Sequence, residues 1–303
     1  MNSNLHSNHL TASKDSRALS IAGWLTGVYF VIELGIGFWT GSVSVTSDAF
    51  HTFSAVGGVL IALVASFFAQ KSSNIFQTYG LIRAEIIGAL INGLFLAAMA
   101  ILVFWMGIMR LQTPIELPTT PMFLAAAGGL VTEIISFALL YKRQKTNLNI
   151  KGAFWHILQT FVGSLIIIVS AIVIKTTGFL AIDPILGMAF GVVLFWASWK
   201  ITRDAVTILL ERTPRDIDLN KIMREIKSVK DVINLHHIHV WSLTTNKNIF
   251  SAHVHLKDAG SIERAQKEIH KILRTKFKIY FSTIQVEKDC LDKNVAKDID
   301  IVK

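Results

Sequence analysis

The segment Ala84–Gly107 reads AEIIGALINGLFLAAMAILVFWMG, and Glu85 is its only charged residue. About 20 consecutive apolar residues are needed for a helix to cross the hydrocarbon core of a bilayer. A run of this length and composition therefore predicts a transmembrane helix.

Five further segments share this length and composition, and 52% hydrophobic against 17% charged residues is too apolar for a soluble chain of 303 residues. The breaks between the segments contain glycine, proline or basic residues, as turns and membrane-surface loops do. We predict an all-α membrane domain of six transmembrane helices. The predicted spans are Ile21–Thr40, Val43–Phe68, Ala84–Gly107, Met122–Tyr141, Phe154–Ile174 and Ile182–Lys200.

The net charge of +9 is explained by the loops between these spans. Basic residues lie before the first span, after the second, fourth and sixth, and the opposite side has only Arg110 and Lys175. Lys and Arg gather in cytoplasmic loops of membrane proteins. We therefore predict a multi-pass protein, embedded in the lipid of the cell membrane, with both termini cytoplasmic and with no nucleic-acid partner.

The domain organisation follows from the change of composition along the chain. Residues 1–17 are polar, with no apolar run behind a basic start, which predicts a cytosolic tail and no cleaved signal peptide. The predicted transmembrane domain covers residues 18–203 and the predicted cytosolic domain residues 211–303. The single cysteine, Cys290, excludes an internal disulfide framework. No phosphate loop, nucleophile elbow or catalytic triad stands out, so we predict that the protein is not an enzyme.

Ionisable side chains inside the spans are candidates for function, because charge is costly in hydrocarbon. Asp48 and His51 are three residues apart and share a helix face. Each such residue can simply pair with a neighbouring helix, but carboxylates and imidazoles from several helices suit a divalent cation. The candidates are Glu33, Asp48, His51, Glu133 and His156, with Asp183 near the start of the last span.

The cytosolic domain is predicted to be α+β. An amphipathic helix is predicted at Asp216–Val229, and a second helix, capped by Ser261, ends at Phe277. Alternation of apolar and polar residues predicts three strands. They are Asp231–Leu243, Asn248–Lys257 and Tyr280–Glu287, which gives the order αββαβ.

Histidines are dense in two of these strands. Alternation along a strand places His237 and His239 on one face and His236 on the other, and it places His253 and His255 together. The two strands can therefore present several imidazoles at one point. The alternative is that they are surface histidines of a basic domain.

A series of motifs covers nearly the whole chain and, in this order, resembles the cation diffusion facilitator family. Its members are divalent-metal/proton antiporters that carry zinc, cobalt, cadmium, iron or manganese out of the cytoplasm, and the chain is similar to its zinc transporters. The motifs are Gly41–His51, Tyr79–Glu85, Ala89–Leu94, Phe154–His156, Asp183–Pro184, Leu209–Pro214, His236–Trp241 and Thr283–Glu287.

The resemblance implies a six-helix transmembrane bundle, a metallochaperone-like cytosolic domain and a homodimer. The transport site of the family resembles two His-x-x-x-Asp pairs, in spans two and five. This chain keeps His51 and His156 but has Ala55 and Thr160 in place of both aspartates. It also has Glu133 where relatives often have asparagine.

Two interpretations of this departure compete. In the first, Glu133 and Asp48 replace the missing carboxylates beside His51 and His156, with Glu33 as a further candidate. In the second, the chain is a non-transporting homologue, either a metal sensor or the silent subunit of a heterodimer. We favour replacement, because an intramembrane glutamate costs about 2–4 kcal/mol and has no other evident benefit here.

The resemblance also implies cytosolic metal ligands, namely His236, His253 and Glu287, with His255 as the alternative to His253. The expected fourth ligand is Cys290, or His6 and His9 of the tail, from the same or the other protomer. Phe281 occupies the place of a further family histidine. The predicted function is proton-coupled metal efflux. Zinc, or another divalent transition metal, is both the transported ion and a candidate structural or regulatory ion.

Overall fold

The computed structural model describes residues 3–69, 71–141, 148–245 and 247–287. Within these ranges the side chains of residues 3–19, 54–60, 62–63, 65–66, 69, 148–156 and 259 lie outside the description. The chain divides into two compact units. One unit contains Met1–Val64 and Ile91–Thr202, and the other contains Ala65–Leu90 and Arg203–Lys303.

Six long helices contain the predicted spans. They are α1 (Ser3–Thr40), α2 (Val43–Ala69), α3 (Ala84–Gln112), α4 (Thr119–Tyr141), α5 (Leu148–Thr177) and α6 (Ile182–Leu209). Parts of five of them, α1, α3, α4, α5 and α6, are long and apolar enough to cross a membrane. Helix α2 has 27 residues, but many side chains of its second half are outside the description. The count of six spans therefore stays a prediction.

Helix packing in the first unit brings α4 against both α1 and α5. Small residues such as Ala125, Ala126 and Ala171 are buried at this contact, beside Met122 and Ile167. Small side chains let helix backbones approach closely, which is how membrane helices gain packing energy. The outer faces are apolar instead, and Trp24 and Trp39 are each 76% exposed, as a lipid-facing surface requires.

Asp183 joins the start of α6 to the start of α2. Its carboxylate is completely buried and accepts hydrogen bonds from Ser42 Oγ at 2.6 Å and from the Val43 backbone N–H at 2.7 Å. The Ser44 hydroxyl also donates to it. The first N–H groups of a helix lack partners within the helix, so a carboxylate at this point caps α2. Asp183, one of the ionisable candidates in the sequence, thus has a capping role.

We expect Asp183→Ala to lower the stability of the membrane unit by several degrees in unfolding temperature. Each hydrogen bond to a charged acceptor contributes about 1.5–3 kcal/mol, and the substitution leaves buried donors without a partner. The measurement is thermal unfolding of the purified protein in detergent. The control is Asp204→Ala, which removes only an exposed ion pair to Arg215 at 3.4 Å. Equal unfolding temperatures for the two variants would contradict the capping role.

The cytosolic part of the second unit contains α7 (Leu219–Lys227), β1 (Val232–Thr244), β2 (Lys247–Leu256), α8 (Ile262–Phe277) and β3 (Phe281–Glu287). This is the predicted αββαβ order. The three strands form one sheet in the order β1-β2-β3, in which β2 is antiparallel to β1 and parallel to β3. Apolar side chains of both helices pack on the sheet, among them Ile222, Phe250 and Ile269.

The helix starts differ from the prediction. Helix α7 begins at Leu219 and not at Asp216, because the Asp218 side chain accepts the Lys221 backbone N–H and fixes the first turn there. Ser261 precedes α8 as predicted, but it does not cap the helix through its side chain. Its hydroxyl donates to the Asp258 carbonyl instead, at 2.7 Å.

Candidate metal centres

Three carboxylates from three helices meet inside the first unit. Glu33 on α1, Asp48 on α2 and Glu133 on α4 are 0%, 1% and 6% exposed, and they lie close enough for their charges to interact. None of the three takes part in a salt bridge among the described residues. Buried carboxylates without a cationic side chain need protons or a metal ion for neutralisation.

Two glycines leave room for side chains at this group of carboxylates. A Cβ added at Gly163 on α5 would lie 1.9 Å from Asp48 Oδ1, and one added at Gly129 on α4 would lie 2.6 Å from the Tyr29 hydroxyl oxygen. Both distances are shorter than the 3.0 Å below which non-bonded Cβ contacts essentially never occur. The carboxylate of Asp48 therefore rests against the backbone of α5, in space that any other residue at position 163 would fill.

Glu133 is anchored on α5 as well. The Ser164 hydroxyl donates to Glu133 Oε1 at 2.9 Å, while Oε2 is buried without a hydrogen-bond partner. The Thr160 hydroxyl donates to the Ile157 carbonyl at 2.9 Å and lies close enough to the Glu133 carboxylate to interact with it. Glu133 thus holds a carboxylate beside the α5 residue that replaces an aspartate of the resembled family.

His51 is 4% exposed, and its ring contacts Phe190 of α6 with ring centroids 5.1 Å apart. The side chains of His156 and Ala55 lie outside the described part of the structure. Of the predicted intramembrane set, His51, Asp48 and Glu133 are all buried, and Asp48 and Glu133 lie close to each other. Their ligand atoms are more widely spaced than those of the cytosolic histidines, which form the one tight group among the described residues.

Three cytosolic histidines, His236, His237 and His253, form a tight group, and Glu287 contacts two of them. His236 Nε2 lies 3.2 Å from Glu287 Oε2, and His253 Nδ1 lies 2.8 Å from Glu287 Oε1. Ligand nitrogens of the three histidines all lie within 4.8 Å of one another. The strands bring these residues together, because His253 is opposite His236 on β1 and opposite Gln285 on β3, two residues before Glu287.

The prediction that His237 faces away from His236 was wrong. The β1–β2 register runs from His236–His253 directly to His239–Ser251, so two residues of β1 face one of β2. This β-bulge breaks the alternation. His237 has a φ of +49°, which costs a non-glycine residue about 1–3 kcal/mol, and its ring centroid is 5.0 Å from that of His236. No local sequence pattern predicts the bulge. The only related signal in the sequence is that His236 and His237 are adjacent.

The remaining cytosolic candidates lie apart from this cluster. His255, the predicted alternative to His253, is paired with Asn234 and does not belong to the tight group. Phe281 is 56% exposed, and its ring contacts that of Tyr79 with centroids 6.4 Å apart. The side chains of His6 and His9, and the whole of Cys290, are outside the described residues.

Apolar helices with buried carboxylates, followed by a domain with clustered imidazoles, are the features expected of a membrane transporter of metal cations. Residues 19–210 match the cation efflux transmembrane domain, and residues 214–289 match the cytoplasmic domain of cation efflux proteins. The chain belongs to the cation efflux family, a family of transporters.

Curated relatives match along most of their length. The metal cation efflux system protein CzcD of Cupriavidus metallidurans is 32% identical over 90% of this chain and 87% of its own length. The zinc transporter ZitB of Escherichia coli is 30% identical over 93% of this chain and 90% of its own. The cadmium, cobalt and zinc/H(+)-K(+) antiporter of Bacillus subtilis is 32% identical over 82% of this chain and 80% of its own.

Proposed function

We propose that this protein is a proton-coupled efflux transporter of divalent transition metals, with zinc as its main substrate. The relatives named for zinc, cadmium and cobalt support this substrate class. Imidazole with carboxylate ligands suits these metals better than calcium or magnesium, which prefer oxygen ligands throughout. The activity is transport, and the proposed protein is neither an enzyme nor a nucleic-acid-binding protein.

The transport site is proposed to consist of His51, His156, Asp48 and Glu133, with Glu33 as a further carboxylate. One observation carries this assignment: Glu133 lies beside Thr160 and is buried without a salt bridge among the described residues. The Glu133 carboxylate from α4 thereby lies close to where an aspartate at position 160 of α5 would place its own carboxylate. Two or three carboxylates can neutralise a dication at membrane depth, which His51, Thr160 and Ala55 alone cannot do.

Proton coupling follows from the chemistry of these ligands. Carboxylate and imidazole groups must lose protons before they bind a metal ion, so metal binding releases protons and proton return displaces the metal. When the bundle opens to the far side, incoming protons replace the metal and the carboxylates stay neutralised throughout.

We propose that α2 crosses the membrane together with the five other long helices, which gives six spans. The protein is proposed to lie in the plasma membrane with both termini in the cytoplasm. The tail (1–17), the transport domain (18–203) and the cytosolic domain (211–303) remain the proposed divisions. The cytosolic domain is proposed to hold two protomers together as a homodimer. His236, His253 and Glu287 are proposed to bind a structural or regulatory metal ion there.

The test of the function is zinc flux into liposomes that contain the purified protein. With an imposed proton gradient we expect zinc uptake well above that of protein-free liposomes, and a protonophore should remove it. Uptake that persists without the gradient would retain transport and contradict proton coupling. Absence of flux for zinc, cobalt, iron and manganese, from folded protein, would favour the non-transporting sensor or silent subunit.

A further inference from the structure

The cytosolic histidine cluster is more complete than the family resemblance implies. That resemblance supplies His236, His253 and Glu287 and leaves the fourth ligand to Cys290 or to His6 and His9 of the tail, from the same or the other protomer. In the structure Phe281 cannot bind metal, yet a third imidazole is already present. The ring of His237 lies 5.0 Å from that of His236 and 5.0 Å from that of His253, measured between centroids.

We propose that His237 is the fourth ligand of a closed metal site within a single protomer, together with His236, His253 and Glu287. The site would bind a divalent transition metal of the zinc type. All four ligands come from β1, β2 and β3 of one chain, so the site needs neither Cys290 nor a residue of another protomer.

The chemistry of the four side chains fits a tetrahedral zinc site. Zinc is bound by imidazole nitrogens and carboxylate oxygens, and a structural site is four-coordinate with no open position. Three neutral imidazoles and one carboxylate leave a net charge of +1 on the complex. His236, His237 and Glu287 are 8%, 8% and 5% exposed, so the ion would be largely shielded from water.

The backbone supplies an independent argument. His237 has a φ of +49° at a β-bulge, and the adjacent strand pairing on both sides of the bulge is regular. Bulges redirect a side chain at functional sites, and strained backbone conformations cluster at such sites. Without the bulge His237 would lie on the opposite face of the sheet from His236. The bulge is the feature that brings the third imidazole to the other two.

Zinc occupancy of a site within one protomer is independent of dimerisation and of transport. A site completed by a partner would lose affinity on dilution to monomers, whereas a site within one protomer keeps its affinity. The test therefore measures binding at equilibrium with no gradient, and its failure would leave the proposed transport activity untouched.

The experiment is zinc titration of the full-length protein in detergent, in competition with a chelator, with Co²⁺ absorption as a reading of coordination geometry. Three variants are compared with the unaltered chain: His237→Asn, His255→Asn and His270→Asn. Asparagine tolerates positive φ, so the first variant removes the imidazole while it retains the bulge. The matched controls are His255 and His270; the latter lies on α8, and its Nδ1 is 2.6 Å from Ser282 Oγ of β3. The intramembrane residues are identical in all four proteins, so differences report on the cytosolic cluster.

We expect His237→Asn to weaken the cytosolic zinc site by more than about 100-fold, because even the outer partners of metal ligands are worth about 10–100-fold. The Co²⁺ bands of a four-coordinate site should weaken with it, and both controls should keep the original affinity. A second variant, His237→Gly, relieves the backbone strain and should raise the unfolding temperature of metal-free protein while zinc stabilises it less. Unchanged zinc affinity and Co²⁺ bands in His237→Asn would overturn the proposal, as would an affinity that falls on dilution to monomers.

Discussion

Replacing Glu133 by glutamine is expected to reduce gradient-driven zinc uptake by at least about 100-fold. Glutamine keeps the shape of the side chain and still accepts the Ser164 hydroxyl, which donates to Glu133 Oε1 at 2.9 Å. What it removes is the negative charge. Removing one partner from a buried charge pair costs about 3–5 kcal/mol, which corresponds to at least about 100-fold in the affinity for the ion.

The measurement is the initial rate of zinc uptake into liposomes with an imposed proton gradient. Glu116→Gln is the matched control, because Glu116 is exposed between α3 and α4 and the chemical change is the same. The control should transport at the original rate. Equal rates for Glu133→Gln and Glu116→Gln would retain a transporter and remove Glu133 from its site.

Replacing Gly163 by alanine should damage the same site from the other side. The new methyl group would lie 1.9 Å from Asp48 Oδ1 and 2.5 Å from Asp48 Cγ, so the carboxylate has to leave its place against α5. Overpacking a buried position costs about 1–3 kcal/mol. If this cost falls on the metal-bound state, the affinity for zinc falls about 5–150-fold.

Gly35→Ala is the control for this substitution. Gly35 also lies within a predicted span, on α1, and a Cβ at this position meets no atom within 4 Å. Zinc uptake should therefore be unchanged in Gly35→Ala and strongly reduced in Gly163→Ala, from protein with the same elution profile in detergent. Full activity in Gly163→Ala would show that the position of Asp48 does not matter for transport.

The apolar segments and the αββαβ order were recognisable before any coordinates, because both depend on local patterns. A run such as Ala84–Gly107 has one stable solution in a membrane, a helix with all backbone groups bonded internally. The strands of the cytosolic domain follow from alternation over 7–13 residues. Both signals lie within a single element and need no knowledge of its neighbours.

The intramembrane candidates were recognisable by residue type, but their grouping was not. Glu33, Asp48 and Glu133 were conspicuous because carboxylates are rare in apolar spans. The role of Asp183 as a cap for α2, and the dependence of Asp48 on Gly163, required the packing of helices distant in sequence. A glycine among apolar residues gives no sign of which atom on another helix will occupy the space beside it.

The sequence by itself determined that this chain enters a membrane, that it carries carboxylates and imidazoles where charge is costly, and that histidines crowd two strands. The tertiary structure alone decided that Glu133 lies beside Thr160 and that His237 joins His236 and His253. The physical reason is the range of the forces involved. Hydropathy and alternation act along a few consecutive residues, whereas a bulge or a helix contact depends on backbone geometry and on partners elsewhere in the chain.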